Sequence, residues 1–164
     1  MCAIQRNTKI LIPIEEIEQF SNQLRNEGKS IVFTNVCFDI LHVGHTTYLQ
    51  KAKDLGDVLI LGLNSDASVR RLKGESRPIN NEVDRAAVLL ALRSIDHVVI
   101  FPEDTPFNLI KLIQPDILAK GGDYSRDTIV GADIVEARGG NVVVIPLVDG
   151  KSTTATINKM QTNC

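Results

Sequence analysis

Apolar residues along this chain follow two alternating rhythms. Short unbroken runs mark five strands: residues 31–35, Asp57 to Leu63, His97 to Phe101, Ile117-Leu118-Ala119 and Asn141 to Ile145. Between them the spacing turns helical. Ile14, Ile17, Phe20 and Leu24 recur on one face over about 14–27, and Gly28 closes that segment. Residues 44–55 place Tyr48, Leu49, Ala52 and Leu55 together ahead of Gly56. Asn64-Ser65-Asp66 offers a cap for a helix, and Asn80 or Asn81 caps another through about Arg93, with Glu82 and Asp84 in its first turn. Thr105-Pro106 reads as a cap followed by proline at the first helical position, for a helix ending near Pro115. Residues 127–138 are helical up to Gly139-Gly140, and a last helix begins at Ser152.

Strands that are apolar throughout and alternate with helices predict an α/β fold: a Rossmann-like, doubly wound, five-stranded parallel sheet with helices on both faces. In such sheets ligands sit beyond the carboxyl ends of the strands, where strand order reverses. No repeat or linker divides the 164 residues, so one domain is expected, with residues 1–28 as an N-terminal helical extension and 29–164 as the catalytic core. A hydrophobic content of 43% with 23% charged residues fits a globular protein, and a formal net charge of -2 gives no general attraction for nucleic acid or acidic membranes. No apolar stretch approaches the roughly 20 residues of a membrane span. Three scattered cysteines, Cys2, Cys37 and Cys164, fit neither a disulfide framework nor a zinc site and point to a cytoplasmic protein.

The chemistry concentrates after the first of those strands. His42-Val43-Gly44-His45 stands where a strand end meets a helix start. A helix N-terminus offers free N–H groups and partial positive charge, and Gly44 lets a ligand approach the backbone. Two imidazoles three residues apart on a first turn can donate to one phosphate as its charge grows during reaction. The plainer alternative is one capping and one surface histidine.

Other segments fit the same chemistry. Arg70, Arg71, Lys73 and Arg77 crowd into eight residues of an otherwise acidic chain, either to compensate phosphates or as a solvated basic loop, with Gly74 as a hinge. Arg85 suits a surface salt bridge or a sugar-phosphate contact. Gly121-Gly122-Asp123 forms a turn at the same sheet edge as the histidines. Ser152-Thr153-Thr154 can cap a helix and receive phosphates together. Gly150-Lys151-Ser152 is not a P-loop, because the required first glycine is Ile145, and no GxGxxG occurs. Asp39 is the best-suited carboxylate of this segment, either to orient a histidine or to help hold Mg²⁺ through water, though it is not assigned as a metal ligand, while Cys37 and His97 suit packing.

The string Thr34-Asn35-Val36-Cys37-Phe38-Asp39-Ile40-Leu41-His42-Val43-Gly44-His45 resembles the signature of cytidylyltransferase-like nucleotidyltransferases, whose HxGH element is shared with class I aminoacyl-tRNA synthetases. Asn64-Ser65-Asp66 and Lys120-Gly121-Gly122-Asp123-Tyr124 are most similar to the adenylyltransferase domain of ADP-heptose synthesis. That resemblance implies transfer of AMP from ATP to D-glycero-β-D-manno-heptose 1-phosphate, giving ADP-heptose and pyrophosphate, with Mg²⁺ accompanying ATP. It implies catalytic roles for His42, His45 and Lys73, and nucleotide contacts from Thr34, Asn35, Cys37, Phe38, Asp39, Gly44, Gly122, Asp123, Ser152, Thr153 and Thr154. Arg71, Arg77 and Arg85 would bind the sugar phosphate. It further implies a homodimer, served by a separate sugar kinase and supplying lipopolysaccharide or other surface glycans. Val36 replaces the usual glycine, so a β-branched side chain narrows the pocket or shifts the turn. The alternatives are a cytidylyltransferase acting on glycerol 3-phosphate or a related alcohol phosphate, and a nucleotide-binding module with impaired catalysis.

Overall fold

A computed structural model of the protein describes residues 9–122, 124, 125, 128–148, 153, 156, 157 and 159. Its strands are β1 (Ile10–Leu11), β2 (Ile31–Val36), β3 (Val58–Asn64), β4 (His97–Phe101), β5 (Ile117–Gly121) and β6 (Asn141–Ile145). The helices are α1 (Ile17–Asn26, after a 3-10 turn at Ile14–Glu16), α2 (Val43–Lys53), α3 (Asp66–Lys73), α4 (Glu82–Ala91), α5 (Phe107–Ile113) and α6 (Ala132–Ala137). All strand pairs are parallel, in the order β1-β4-β3-β2-β5-β6.

The sheet is therefore six-stranded, not five. The extra strand, Ile10–Leu11, pairs with His97 and Val98 at one edge. Two residues ahead of Pro13 are too few to set up a readable strand pattern, and both are exposed. The segment expected as a helical extension thus also supplies an edge strand, and Ile17 is fully buried in the core.

Alternation along each strand builds two cores. Ile31, Phe33, Ile60 and Val99 face α1, α5 and α6 through Leu24, Leu109, Ile113 and Val135. Val32, Leu59, Leu61 and Val98 face α2 and α4 through Leu49, Ala52, Ala86 and Leu89. β3, covered on both sides, is buried at every position.

Several helix ends follow the expected signals. Ser65 accepts from Ser68 N and Asn81 from Asp84 N, and Gly28 follows α1 at φ 72°. Others differ. Pro106 is itself the N-cap of α5, without a side-chain cap from Thr105. α6 begins only at Ala132, because Gly131 adopts φ 84° at its N-cap with Ile110 packed 2.6 Å from where a Cβ would stand.

The register sets up the site. β2 pairs with β3 over six residues, but with β5 only at Val32↔Ile117 and Phe33↔Leu118. Beyond Phe33 the two central strands part. β2 is followed outward on one side by β3, β4 and β1 and on the other by β5 and β6, so this split lies at the switch point of strand order.

Gly62 shows how tightly the central strand is packed. A Cβ there would lie 2.9 Å from Phe33 Cζ and 3.1 Å from Leu109 Cδ2. Both side chains are fully buried and have no room to retreat. Gly62→Ala is expected to lower stability by about 1–3 kcal/mol through overpacking, read as a fall in the urea midpoint at unchanged m-value.

Candidate active site

The parted strands are wedged by a tyrosine. Tyr48 lies one turn after His45 on α2, and its hydroxyl meets Thr34 Oγ1 at 2.6 Å and donates to Ala119 O at 3.1 Å. Thr34 is thus a buried strut of β2 and does not line the cleft. Burial pushes the Tyr48 phenol up to about 12, so it stays protonated and keeps donating. α2 is in this way fixed to both central strands just beneath its N-terminus.

His42 is the N-cap of α2, and Gly44 is buried in the first turn. The rings of His42 and His45 stack at 3.8 Å with 19° between planes. Phe38 meets His45 edge-on at 5.1 Å. Nδ1 of each histidine is shut away from solvent without a partner among the described residues. Nε2 is therefore the nitrogen left to meet a ligand. Burial, followed by the neighbouring His42, lowers the His45 pKa to about 4, so at neutral pH that ring enters as a neutral donor.

The turn between β2 and α2 is held under strain. Phe38 is a buried non-glycine residue at φ 44°. Beneath it the buried Arg85 guanidinium donates to Cys37 O at 2.6 Å, Asn64 O at 2.9 Å, Asn80 O at 3.0 Å and the Asp66 carboxylate at 2.7 Å. Asp39, its side chain wholly buried, accepts from Arg77 Nε at 2.5 Å and from the backbone N–H groups of Ile79 and Asn80. Burial alone would raise the Asp39 pKa, but those N–H donors and Arg77 outweigh it and hold the carboxyl below its ordinary range. Asp39 thus latches the 77–80 loop to the turn, and Arg85 acts as the clamp under that turn.

A cavity of about 380 Å³ opens above these elements. Of the residues the sequence singles out, it gathers Asn35, Cys37, Phe38, Asp39, His45, Lys73, Arg77 and Thr153. Thr153 Oγ1 donates to Ile40 O at 3.1 Å, tying the C-terminal segment to the histidine turn. Lys73 is exposed and makes no hydrogen bond or ion pair among the described residues. Arg71 turns away, its fork engaged by Asp104 Oδ1 and Pro102 O. Arg85 instead lines a separate hollow of about 170 Å³ behind the Phe38–Leu41 turn. Gly122, at φ 115°, follows β5 and donates its N–H to Ile145 O. Asp123, Ser152 and Thr154 lie outside the described residues.

Tyr48, Asn64, Tyr124 and Lys120 also line the large cavity or the one beside it, though the sequence pattern assigns none of them a site role. Lys120 had a readable signal: it is a cation interrupting an otherwise apolar strand. Its Nζ donates to Asn35 Oδ1 across the β2–β5 split. Val36 lies on the wall shared by the large cavity and a neighbouring one of about 220 Å³, so its side chain does occupy cleft space. Among the described residues no three His, Cys, Asp or Glu side chains converge to hold a metal ion. The Asp39 carboxylate is already spent on Arg77 and two amides, so the described residues do not form a resident Mg²⁺ site.

These elements define an α/β protein with a doubly wound parallel sheet, whose switch point carries paired imidazoles and a helix N-terminus able to donate to an anion. The chain belongs to the Cytidylyltransferase-like family, whose model matches residues 33–160. Bifunctional protein HldE of a Nitratiruptor species is 60% identical over 147 residues, 90% of this chain and 31% of that protein. Bifunctional protein HldE of Syntrophotalea carbinolica is 56% identical over 158 residues, 96% of this chain and 32% of that protein. The chain therefore spans about a third of the length of these curated relatives. Among solved structures, the lipopolysaccharide core biosynthesis protein from Thermoplasma volcanium is 28% identical with a TM-score of 0.59, covering 76% of this chain and 100% of that one.

The suppressed His45 titration ties stability to pH. Unfolded, an imidazole gains its proton near pH 6.5. In the folded protein His45 does so only near 4. Between those values the unfolded chain binds more protons, so stability falls as pH drops from about 6.5 to about 4. His97, whose pKa burial also lowers, adds to the same loss. His45→Gln is expected to remove about 1–3 kcal/mol of that acid-side decline, read by comparing urea midpoints of the two proteins at pH 7 and pH 4.5.

Proposed function

We propose that this chain is a nucleotidyltransferase that moves AMP from ATP to a sugar 1-phosphate, D-glycero-β-D-manno-heptose 1-phosphate, with release of pyrophosphate. The observation that carries the reading is the stacked His42–His45 pair on a helix N-terminus, with His45 lining one cavity together with Lys73 and Arg77 at the switch point. The identity to proteins named HldE over 90% and more of this chain supports the heptose branch.

The acceptor phosphate is already ionised and needs no strong base. One of its oxygens attacks the α-phosphorus in line, the bond from that phosphorus to the bridging oxygen of the β-phosphate breaks, and pyrophosphate leaves with the electron pair. His45, neutral and donating from Nε2, hydrogen-bonds the phosphoryl oxygen as its charge grows, with His42 stacked on it. Lys73 and Arg77 hold the departing phosphates. Arg77 keeps N–H groups for this role because only its Nε is engaged by Asp39. Mg²⁺ belongs to the ATP phosphates in this reading, and no step passes through a protein-held metal. The described residues contain no helix long and apolar enough to cross a membrane, and the reading places the enzyme in the cytoplasm as a homodimer. Its sugar substrate has to come from a kinase reaction.

Val36 favours one competing reading, a nucleotide-binding module with impaired turnover, since its side chain stands in the cleft. Pyrophosphate release, measured with ATP or CTP against heptose 1-phosphate and glycerol 3-phosphate, separates these outcomes. Release is expected with ATP and the heptose only. Release with CTP and glycerol 3-phosphate transfers the assignment to the alcohol-phosphate branch, and no release from folded protein leaves the binding module. His45→Ala is expected to keep ATP binding within about tenfold while kcat falls about 10²–10³-fold.

A further inference from the structure

Lys120 stands directly across the β2–β5 split from Asn35, at the point where a continued ladder would have paired them. Asn35 Oδ1, at 2.5 Å, is its sole hydrogen-bond partner among the described residues. An ammonium carries three donors and a full charge, and one amide oxygen answers a single donor with no countercharge. Among the described residues, the groups facing it offer none either. From α2 come His45 and Tyr48, and from the segment after β5 comes Tyr124. Across the large cavity stand Lys73, Arg77, Asp39 and Asp104. Asp39 is committed to Arg77, and Asp104 to Arg71. Burial consequently lowers the Lys120 pKa to about 8.

Two cavities meet at this side chain. The larger is basic, with Lys73 and Arg77. The smaller, of about 220 Å³, is walled by Tyr48, Tyr124, Leu147 and Gly121 and suits a flat base. Asn35, Val36, His45, Lys120 and Tyr124 line both. A nucleotide laid from the apolar lobe to the basic one brings its α-phosphate to that shared wall.

We propose that Lys120 is a further catalytic residue of this site, leaving Asn35 to grip the α-phosphate of the bound nucleotide from the side of β5 while His45 meets it from α2. This rests on the nucleotidyltransferase reading above. It accounts for a cation placed without a counterion among the described residues, in a strand that is otherwise apolar: the countercharge arrives with the substrate, and the proton affinity of the amine rises again when it does.

The test is calorimetric binding of Mg·ATP, without acceptor, to wild type, Lys120→Met and Lys120→Arg. It is run from pH 7 to 9 in two buffers of different ionisation enthalpy, with Tm recorded for each protein. Wild type is expected to take up about half a proton or more on binding at pH 8.5, and to bind about tenfold more weakly at pH 9 than at pH 7. Lys120→Met should weaken binding at pH 7 about tenfold or more, and Lys120→Arg should stay within about threefold of wild type. Neither variant should show the proton uptake or the pH dependence. A Lys120 that only straps β5 to β2 would lower Tm in the Met variant yet leave the ATP affinity within about twofold. That result, or wild-type binding without proton uptake, overturns the proposal. A folded wild type that binds no ATP at all removes the nucleotide reading and this inference with it.

Discussion

The chemistry of this protein depends on two central strands that stop pairing. β2 and β5 are bonded at Ile117 and Leu118 and then separate, and the Tyr48 hydroxyl fills the opening by bonding to both Thr34 and Ala119. Without that wedge the Ala119 carbonyl and the Thr34 hydroxyl would each lose this partner in a buried place, which is costly. With it, the strands hold a cleft of fixed width and α2 is seated by its own side chain one turn below His45. The lip of the sheet, the helix N-terminus and the imidazole pair thereby become one rigid unit. Positioning of that kind is what phosphoryl chemistry asks of a protein.

Charge is arranged in two tiers around the cleft. The lower tier is neutralised internally. Asp39 is balanced by Arg77 and two amides, and Arg85 by three carbonyls and Asp66. These contacts hold Phe38 in a left-handed backbone conformation that costs on the order of 1–3 kcal/mol and set its ring in a T-shaped contact with His45. The upper tier, Lys73 with the free N–H groups of Arg77 and the weakly held Lys120, is left unbalanced. Strain and desolvation below are thus used to aim positive groups above at a ligand that carries the missing negative charge.

Five strands were legible in the chain because each is a run of apolar residues between turn signals. The caps at Ser65 and Asn81 were legible because a side chain there must satisfy a helix N–H. The edge strand at Ile10–Leu11 was not, since two exposed residues owe their strand conformation to His97 and Val98 across the ladder. The start of α6 was also hidden, because it is decided by Ile110 crowding Gly131 from a distant helix. Among site residues, His42, His45, Lys73 and Arg77 were readable from residue type and spacing. Arg71 and Arg85 looked equivalent to Arg77, yet one is drawn off by Asp104 and the other is buried as a clamp.

Local order along the chain therefore determined the alternation of strands and helices, the parallel sheet covered on both faces, and the placing of two histidines at a helix start, since each depends on periodicity and near neighbours. Tertiary structure alone decided which strands part, which cations are left free and which are spent, and that Lys120 lies opposite Asn35. Those outcomes depend on residues 21 to 113 positions apart meeting in space, and no pattern of hydrophobic and polar positions records which distant group a side chain will meet.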